Sequence, residues 1–398
     1  MHGGNRTTPS MKQVAAATIG AVALSAARCM AAPTPMDIRN CAELQAAAEA
    51  TATVGNVLGQ LVEEEIFCDE WLNVEIPENK LKLDGDDGVT YKFDKVRFAV
   101  KSGAVLRVDV PVEFTGDRTQ VVHGGVLNVE EGGKARFLSS VSMDGVGVDT
   151  IDLADMKHGG CVYNQGYVRF EGEFYANGCE TVSTIDEYRV AMAGNGAGIW
   201  NGRDAKVVFK EAVEMDFCGN WPWTSNGAEP GADGGAIYSD GEVSFFEDAL
   251  FTNNEGDEGG ALWIGVSGVV KFLKKSKATF QSNSGPGNGG TINNYGVLVM
   301  RNTASFNQGR STDGSGGCIS VGPAGEMVFV KNVLFDGCQS TEDGAAIYID
   351  YDNVEFLPED ATYTDNFIVN NSDGFYKCED VYVAGDGSGD EDAYMCLP

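Results

Sequence analysis

GGAIYSDGEVSFFEDALFTNN, residues Gly234–Asn254, holds three short runs in which every second residue is apolar, separated by little more than a turn. EGGALW, from Glu258, starts the pattern again. Period-two alternation marks strands and excludes a helical solenoid. One three-stranded coil cannot bury its apolar faces by itself, whereas a stack of coils can. Stacking sets strand one on strand one of the next coil, in parallel, at about 4.8 Å per step. The stretch is therefore one coil of an expected parallel β-helix with three strands per coil, in an all-β chain.

Glycine doublets carry this register along the chain. HGGVLN begins at His123, HGGCVY at His158, NGAGIW at Asn195 and DGGAIY at Asp233; EGGALW follows at Glu258, NGGTIN at Asn288, SGGCIS at Ser315 and DGAAIY at Asp343. The spacings run from 25 to 38 residues. A second column is V-x-F or a variant: Val168/Phe170, Val207/Phe209, Val243/Phe245, Val270/Phe272, Val297/Val299, Met327/Phe329 and Val354/Phe356. A third places the aromatic of FxxN and its relatives at Phe174, Phe217, Phe251, Phe280, Phe306, Phe335 and Tyr363. Like positions on successive coils should form ladders, the third column being one interior stack worth roughly 1.5–3 kcal/mol of burial per ring. LNVEIPENKLKLDG and VRFAVKSGAVLRVDVPVEFTG, ending at Gly116, fit earlier coils. NCAELQAAAEAT, Asn40–Thr51, fits a short N-terminal capping helix over the first coil's open edge, which would otherwise invite aggregation.

Of 398 residues 52 are Gly and 11 Pro, without a strict Gly-X-Y period, so the chain is not collagen. A hydrophobic content of 43% suffices for a packed core. The net charge of −31 argues against nucleic acid and anionic membrane as partners, since both require basic patches. The one basic run, KFLKKSK at Lys271–Lys277, fits the solvated face of a strand. Arg6 and Lys12 precede VAAATIGAVALSAA, Val14–Ala27, which is uncharged and shorter than the ~20 residues a membrane helix needs. Residues 1–31 therefore fit a secretory signal peptide cut after Ala31, with Ala27 as the alternative, and predict a secreted, extracellular monomer without membrane insertion. Residues 37–371 are assigned to the β-helix with its capping helix, and 372–398 to an acidic, Cys-containing C-terminal cap. A cut after Ala31 leaves nine of the ten cysteines. The expected disulfides are Cys41–Cys68, Cys161–Cys179, Cys318–Cys338 and Cys378–Cys396, with Cys218 left over; buried free thiols are the alternative.

At these columns the sequence resembles a known family. GGAI paired with FxxN, over Gly124–Asn366, is similar to the repeat of the chlamydial polymorphic outer-membrane (autotransporter) proteins. It also looks like the right-handed β-helices of the pectate-lyase-like superfamily. The resemblance implies a right-handed parallel β-helix and admits an adhesive role, but the fold hosts lyases, hydrolases, epimerases and adhesins alike. Only 32 residues follow Asn366, so the membrane β-barrel of the chlamydial proteins is not carried over.

Two outward columns could carry function. Tyr163, Trp200, Tyr238 and Trp263, with Tyr348 later, follow an inward aliphatic and should form a ribbon of rings able to stack on sugars. The alternative is a second small core beneath the insert that carries Trp221 and Trp223. The residues before the doublets should line one edge and make Asp233 and Glu258 neighbours, which suits shared Ca²⁺, an acid–base pair or plain turn chemistry. A lyase would need a Lys or Arg base among Ca²⁺-holding carboxylates, and a glycosidase clustered Asp residues; neither pattern is present. DGDDG at Asp84 and DGSGD at Asp386 lack the Glu of a calcium loop, and three His make a His-based zinc site a poor fit. Asn370-Asn371-Ser372 is a glycosylation sequon for a eukaryotic host. The functional expectation is a non-catalytic surface or matrix protein that binds polysaccharide or a cell-surface glycan through the aromatic strip. The alternatives are a polysaccharide lyase or epimerase and a purely structural spacer.

Overall fold

The computed structural model describes residues 34–117, 122–150, 157–183, 194–221, 233–273, 275–350, 361–364, 367–370, 374–376, 381–383 and 393–395. The signal peptide, the Cys378–Cys396 pair, Val354/Phe356 and Trp223 lie outside them. The chain is a right-handed parallel β-helix. Second strands form an 11-stranded parallel sheet from Thr34–Ile38 to Glu326–Phe329, while first and third strands form two further files of parallel neighbours. From Gly124 to Gly344 each coil turns its first corner at a left-handed glycine, followed in most by a second glycine. Gly234 has φ +68°, a conformation that costs other residues, and a Cβ on Gly235 would be driven against backbone oxygens of Gly260 and Glu255. Helix α1, Cys41–Thr53, is capped by Asn40, whose side chain accepts the Glu43 N–H, and buries Leu44, Ala47 and Ala48 over the first coils.

The second column is a ring stack. Phe137, Phe170, Phe209, Phe245 and Phe272 follow one another at 4.6–5.3 Å between centroids, fully buried. In the third column Phe251, Phe280, Phe306 and Phe335 stack at 4.8–5.0 Å. Phe174 and Phe217 do not join them. Phe174 is paired with Val141 and Val213, two places away, and packs on Phe170 and Phe209; Ala176 and Met215 hold its expected file. Phe217 lies past its strand at φ +49° and is 58% exposed, in the corner place where Asn253, Ser282 and Gln308 take the same left-handed turn. A shift of two residues preserves alternation, so period two alone could not detect the error.

Val297/Val299 is also corrected. Leu298 and Met300 align with Val270 and Phe272, so Val299, not Leu298, points outward. Both alternations in VLVM are apolar, so hydrophobicity could not choose between them. KFLKKSK is not one alternating strand either, because the strand ends at Phe272.

Cys41–Cys68, Cys161–Cys179 and Cys318–Cys338 are disulfides with Cα–Cα distances of 6.0, 5.5 and 5.5 Å. Cys179 and Cys338 occupy one inward place just after the third-strand corner. Cys218, Asn254, Asn283 and Gly309 hold the same place on the coils between them. On Cys218's coil, Gly198 stands where Cys161 stands on its own, so Cys218 has no partner thiol among the described residues. Burial pushes its pKa up to about 12, which keeps it unreactive.

Candidate functional site

The first strands place the expected aromatic file in register: Tyr163 on Trp200, Trp200 on Tyr238 and Tyr238 on Trp263. Centroids are 4.4, 6.2 and 4.4 Å apart and the planes lie within 5–6° of parallel. His123 extends the file at 4.5 Å from Tyr163, and Tyr295 closes on Trp263 from the other end at 5.8 Å. Beyond Trp263 the file passes through Asn293 and Ser320 before Tyr348. All four rings are partly exposed.

Their orientation changes what they offer. Parallel rings stacked along the helix axis spend their faces on one another and show water their edges. A sugar is therefore met by a wall of ring edges, not by four free platforms. Beside Trp200 this wall opens into a groove of about 620 Å³ at the corner between first and second strands. Tyr167, Gln165, Arg203, Lys206 and Asp240 line it. Rings, an amide and charges of both signs around an open groove can hold hydroxyls and ring edges together.

The edge column is assembled as expected, and its chemistry is mainly that of turns. His123 Nδ1 accepts the His158 N–H at 3.1 Å, and His158 Nδ1 accepts that of Asn195 at 2.9 Å. Asn195 Oδ1 then accepts the Asp233 N–H at 3.2 Å. Asn288 and Ser315 continue the pattern with Ser315 and Asp343. Burial, aided by His123 and Lys157, lowers the His158 pKa to about 4, so the ring stays a neutral acceptor at physiological pH.

Asp233 and Glu258 are neighbours in this column. Burial, then the charges of Glu258 and Asp257, raise the Asp233 pKa to about 7, against a backbone N–H of Glu258 that holds it down. Burial also raises Glu258, more than Trp263 and Asn293 lower it. Asn293 Nδ2 donates to Glu258 at 2.6 Å. Among the described residues no three His, Cys, Asp or Glu gather as metal ligands. The two carboxyls supply at most four of the six to eight oxygens that Ca²⁺ takes.

Asp233 predicts an inverse pH effect. Between pH about 4 and 7 the folded protein keeps a proton that the unfolded chain has released, so stability falls as pH rises through this window. Asn can accept the same N–H, as Asn195 does one coil earlier. Asp233→Asn should therefore stabilise the protein by about 2 kcal/mol at pH 8 and leave it unchanged near pH 4. Melting temperatures at the two pH values check this; equal melting of variant and parent at pH 8 would show that the carboxyl is not strained.

Sequence reasoning missed two features. Asn164, Asn201 and Ser239 point inward and form a buried amide–hydroxyl chain at 2.8 and 3.0 Å. A basic face also forms on the second-strand sheet. Its middle outward file carries Lys82, Arg107, Arg136 and Arg169 on four successive coils. One flanking file adds Lys80, Lys134 and Lys206. The expectation of a single basic run thus holds for the sequence and fails for the surface.

No family model, curated protein or solved structure matches this chain. Among the described residues no helix is long and apolar enough to cross a membrane. The three disulfides point to an oxidising compartment.

Proposed function

We propose that the protein is a secreted, non-catalytic β-helix of the adhesin kind, which binds carbohydrate or a glycan-bearing cell surface along its outward aromatic file. The observation that carries this reading is the ring wall from Tyr163 to Trp263 opening into the groove beside Trp200. Partly exposed rings in a mixed polar groove are recognition chemistry, and the file is longer than one ring pair needs for stability. Trp200→Ala should weaken binding of a glycan captured on an array by about tenfold or more, about 1.4 kcal/mol. An array with no retained glycan, or one on which Trp200→Ala binds like the parent, would remove the reading.

A second reading, a polysaccharide lyase or epimerase, is favoured by Asp233, whose pKa of about 7 suits proton transfer at neutral pH. New unsaturated ends absorbing in the ultraviolet, lost in Asp233→Asn, would select it.

A further inference from the structure

We propose that the basic second-strand face is a docking surface for the acidic third-strand face of a second copy of this chain, giving side-by-side rows of β-helices. This contact is separate from the aromatic file and stands against the sequence-based expectation of a monomer. The corner file beside the basic ladder adds Lys210 and Arg301, on either side of Phe246 and Leu273. These cations border an open groove of about 610 Å³.

The positive charge is only partly cancelled locally. Asp84 and Asp109 balance Lys82 and Arg107, whereas Glu171 is shared by Arg136 and Arg169 and Glu242 by Lys206 and Lys271. Lys80, Lys134, Lys210 and Arg301 have no ion pair among the described residues. The pKa values of Lys80 and Lys210 are lowered by burial, then by Arg107 and Arg169 respectively, as expected in a positive field.

The opposite field lies on the next face. Outward places on the third strands carry Asp94, Glu113, Asp144, Glu214 and Asp216, with Lys92 paired to Glu113 among them. Tyr175, among them, has its pKa raised by burial and then by Glu214, Asp216 and Asp144. Both ladders repeat at the coil step of about 4.8 Å, so cations and carboxylates of two copies can be set in register. Duplex DNA, with a charge every ~1.7 Å of axis, matches this step poorly.

The contact is heterologous, because one copy's basic face meets another's acidic face, and such contacts propagate as open rows or close as rings. Five coils of about 4.8 Å by a strand width of about 13 Å give roughly 300 Å² per partner. The total of about 600 Å² is below that of standard specific interfaces, so the pairing should be weak and reversible. Its salt dependence should pass through a maximum. At about 0.01 M salt the Debye length is ~30 Å and the net charge of −31 repels whole molecules. At about 0.15 M it is ~8 Å and only the apposed faces count, and at about 1 M, ~3 Å, both effects are screened.

Sedimentation velocity of the full chain at these three ionic strengths tests this. Association should be greatest at the middle one. Lys134→Glu with Arg301→Glu removes the basic face, and Asp144→Lys with Glu214→Lys the acidic face; each variant alone should pair at least about tenfold more weakly. An equal mixture of the two should recover one-to-one pairs, because each retains the face the other has lost, and that recovery also shows that both fold. A monomer at all three salt levels, unchanged association in either variant, association that only rises with salt, or no recovery in the mixture would each overturn the proposal. Dextran sulfate bound by a monomeric parent and not by the basic-face variant would do so as well, and would assign the face to a polyanion.

Discussion

Phe280→Ala is expected to destabilise the protein by about 3–5 kcal/mol, while Phe217→Ala, drawn from the same sequence column, should cost nothing measurable. Phe280 lies between Phe251 at 5.0 Å and Phe306 at 4.8 Å, with Phe272 edge-on at 5.9 Å, and has no exposed surface. Truncation removes two stacked contacts and leaves a cavity that fixed coils cannot close. Phe217 is 58% exposed and holds a left-handed φ that a bulky residue adopts only at a cost. Its removal exposes nothing, and Phe217→Gly should raise stability slightly. Urea unfolding of the pair decides the matter. Equal losses for both would mean that Phe217 is buried in solution and that the third column is one continuous file. Because a solenoid is stabilised by neighbouring coils, the Phe280 loss should also broaden the transition.

The second large loss is expected at Asn283. Its Oδ1 accepts the Asn254 backbone N–H at 3.0 Å and the Asn254 Nδ2 at 2.9 Å, while its Nδ2 donates to the Phe251 carbonyl at 3.0 Å. Both asparagines are fully buried. Asn283→Ala leaves the Asn254 N–H and the Phe251 carbonyl without these partners. Asn254 Nδ2 keeps its bond to the Met215 carbonyl. At about 1–3 kcal/mol for each buried group stranded, the loss should be about 3–4 kcal/mol. Asn283→Asp keeps the acceptors, loses the donor and buries a charge, so it should be at least as damaging at pH 7 and milder at acid pH. A loss below about 1 kcal/mol for Asn283→Ala would show that water reaches the corner.

How much of this could be read beforehand depends on the physical content of each sequence signal. The doublets revealed the coils because a left-handed corner admits few residues, and Gly234, Gly259 and Gly289 mark the same corner on three successive coils. The cysteine pairs were legible from the same register. Inward and outward were legible wherever polar and apolar residues alternate, as in FTNN, and ambiguous where both alternations are apolar, as in VLVM. The direction in which the rings face was not legible, because alternation fixes the side of a sheet and not the rotation of a side chain. The basic face was hidden for another reason. Arg107, Arg136 and Arg169 are roughly one coil apart, so no stretch of sequence holds more than one of the three, and only parallel registration makes them neighbours.

The edge column has a consequence for how such a chain changes length. Each residue before a doublet accepts an N–H from its counterpart one coil onward, in one direction along the axis. A duplicated coil enters with an acceptor for the coil after it and a donor for the coil before it, and a deleted coil takes both away. Gene segments one turn long can thus be gained or lost without stranding a polar group. Selection on overall reach is thereby separated from selection on the lateral surfaces.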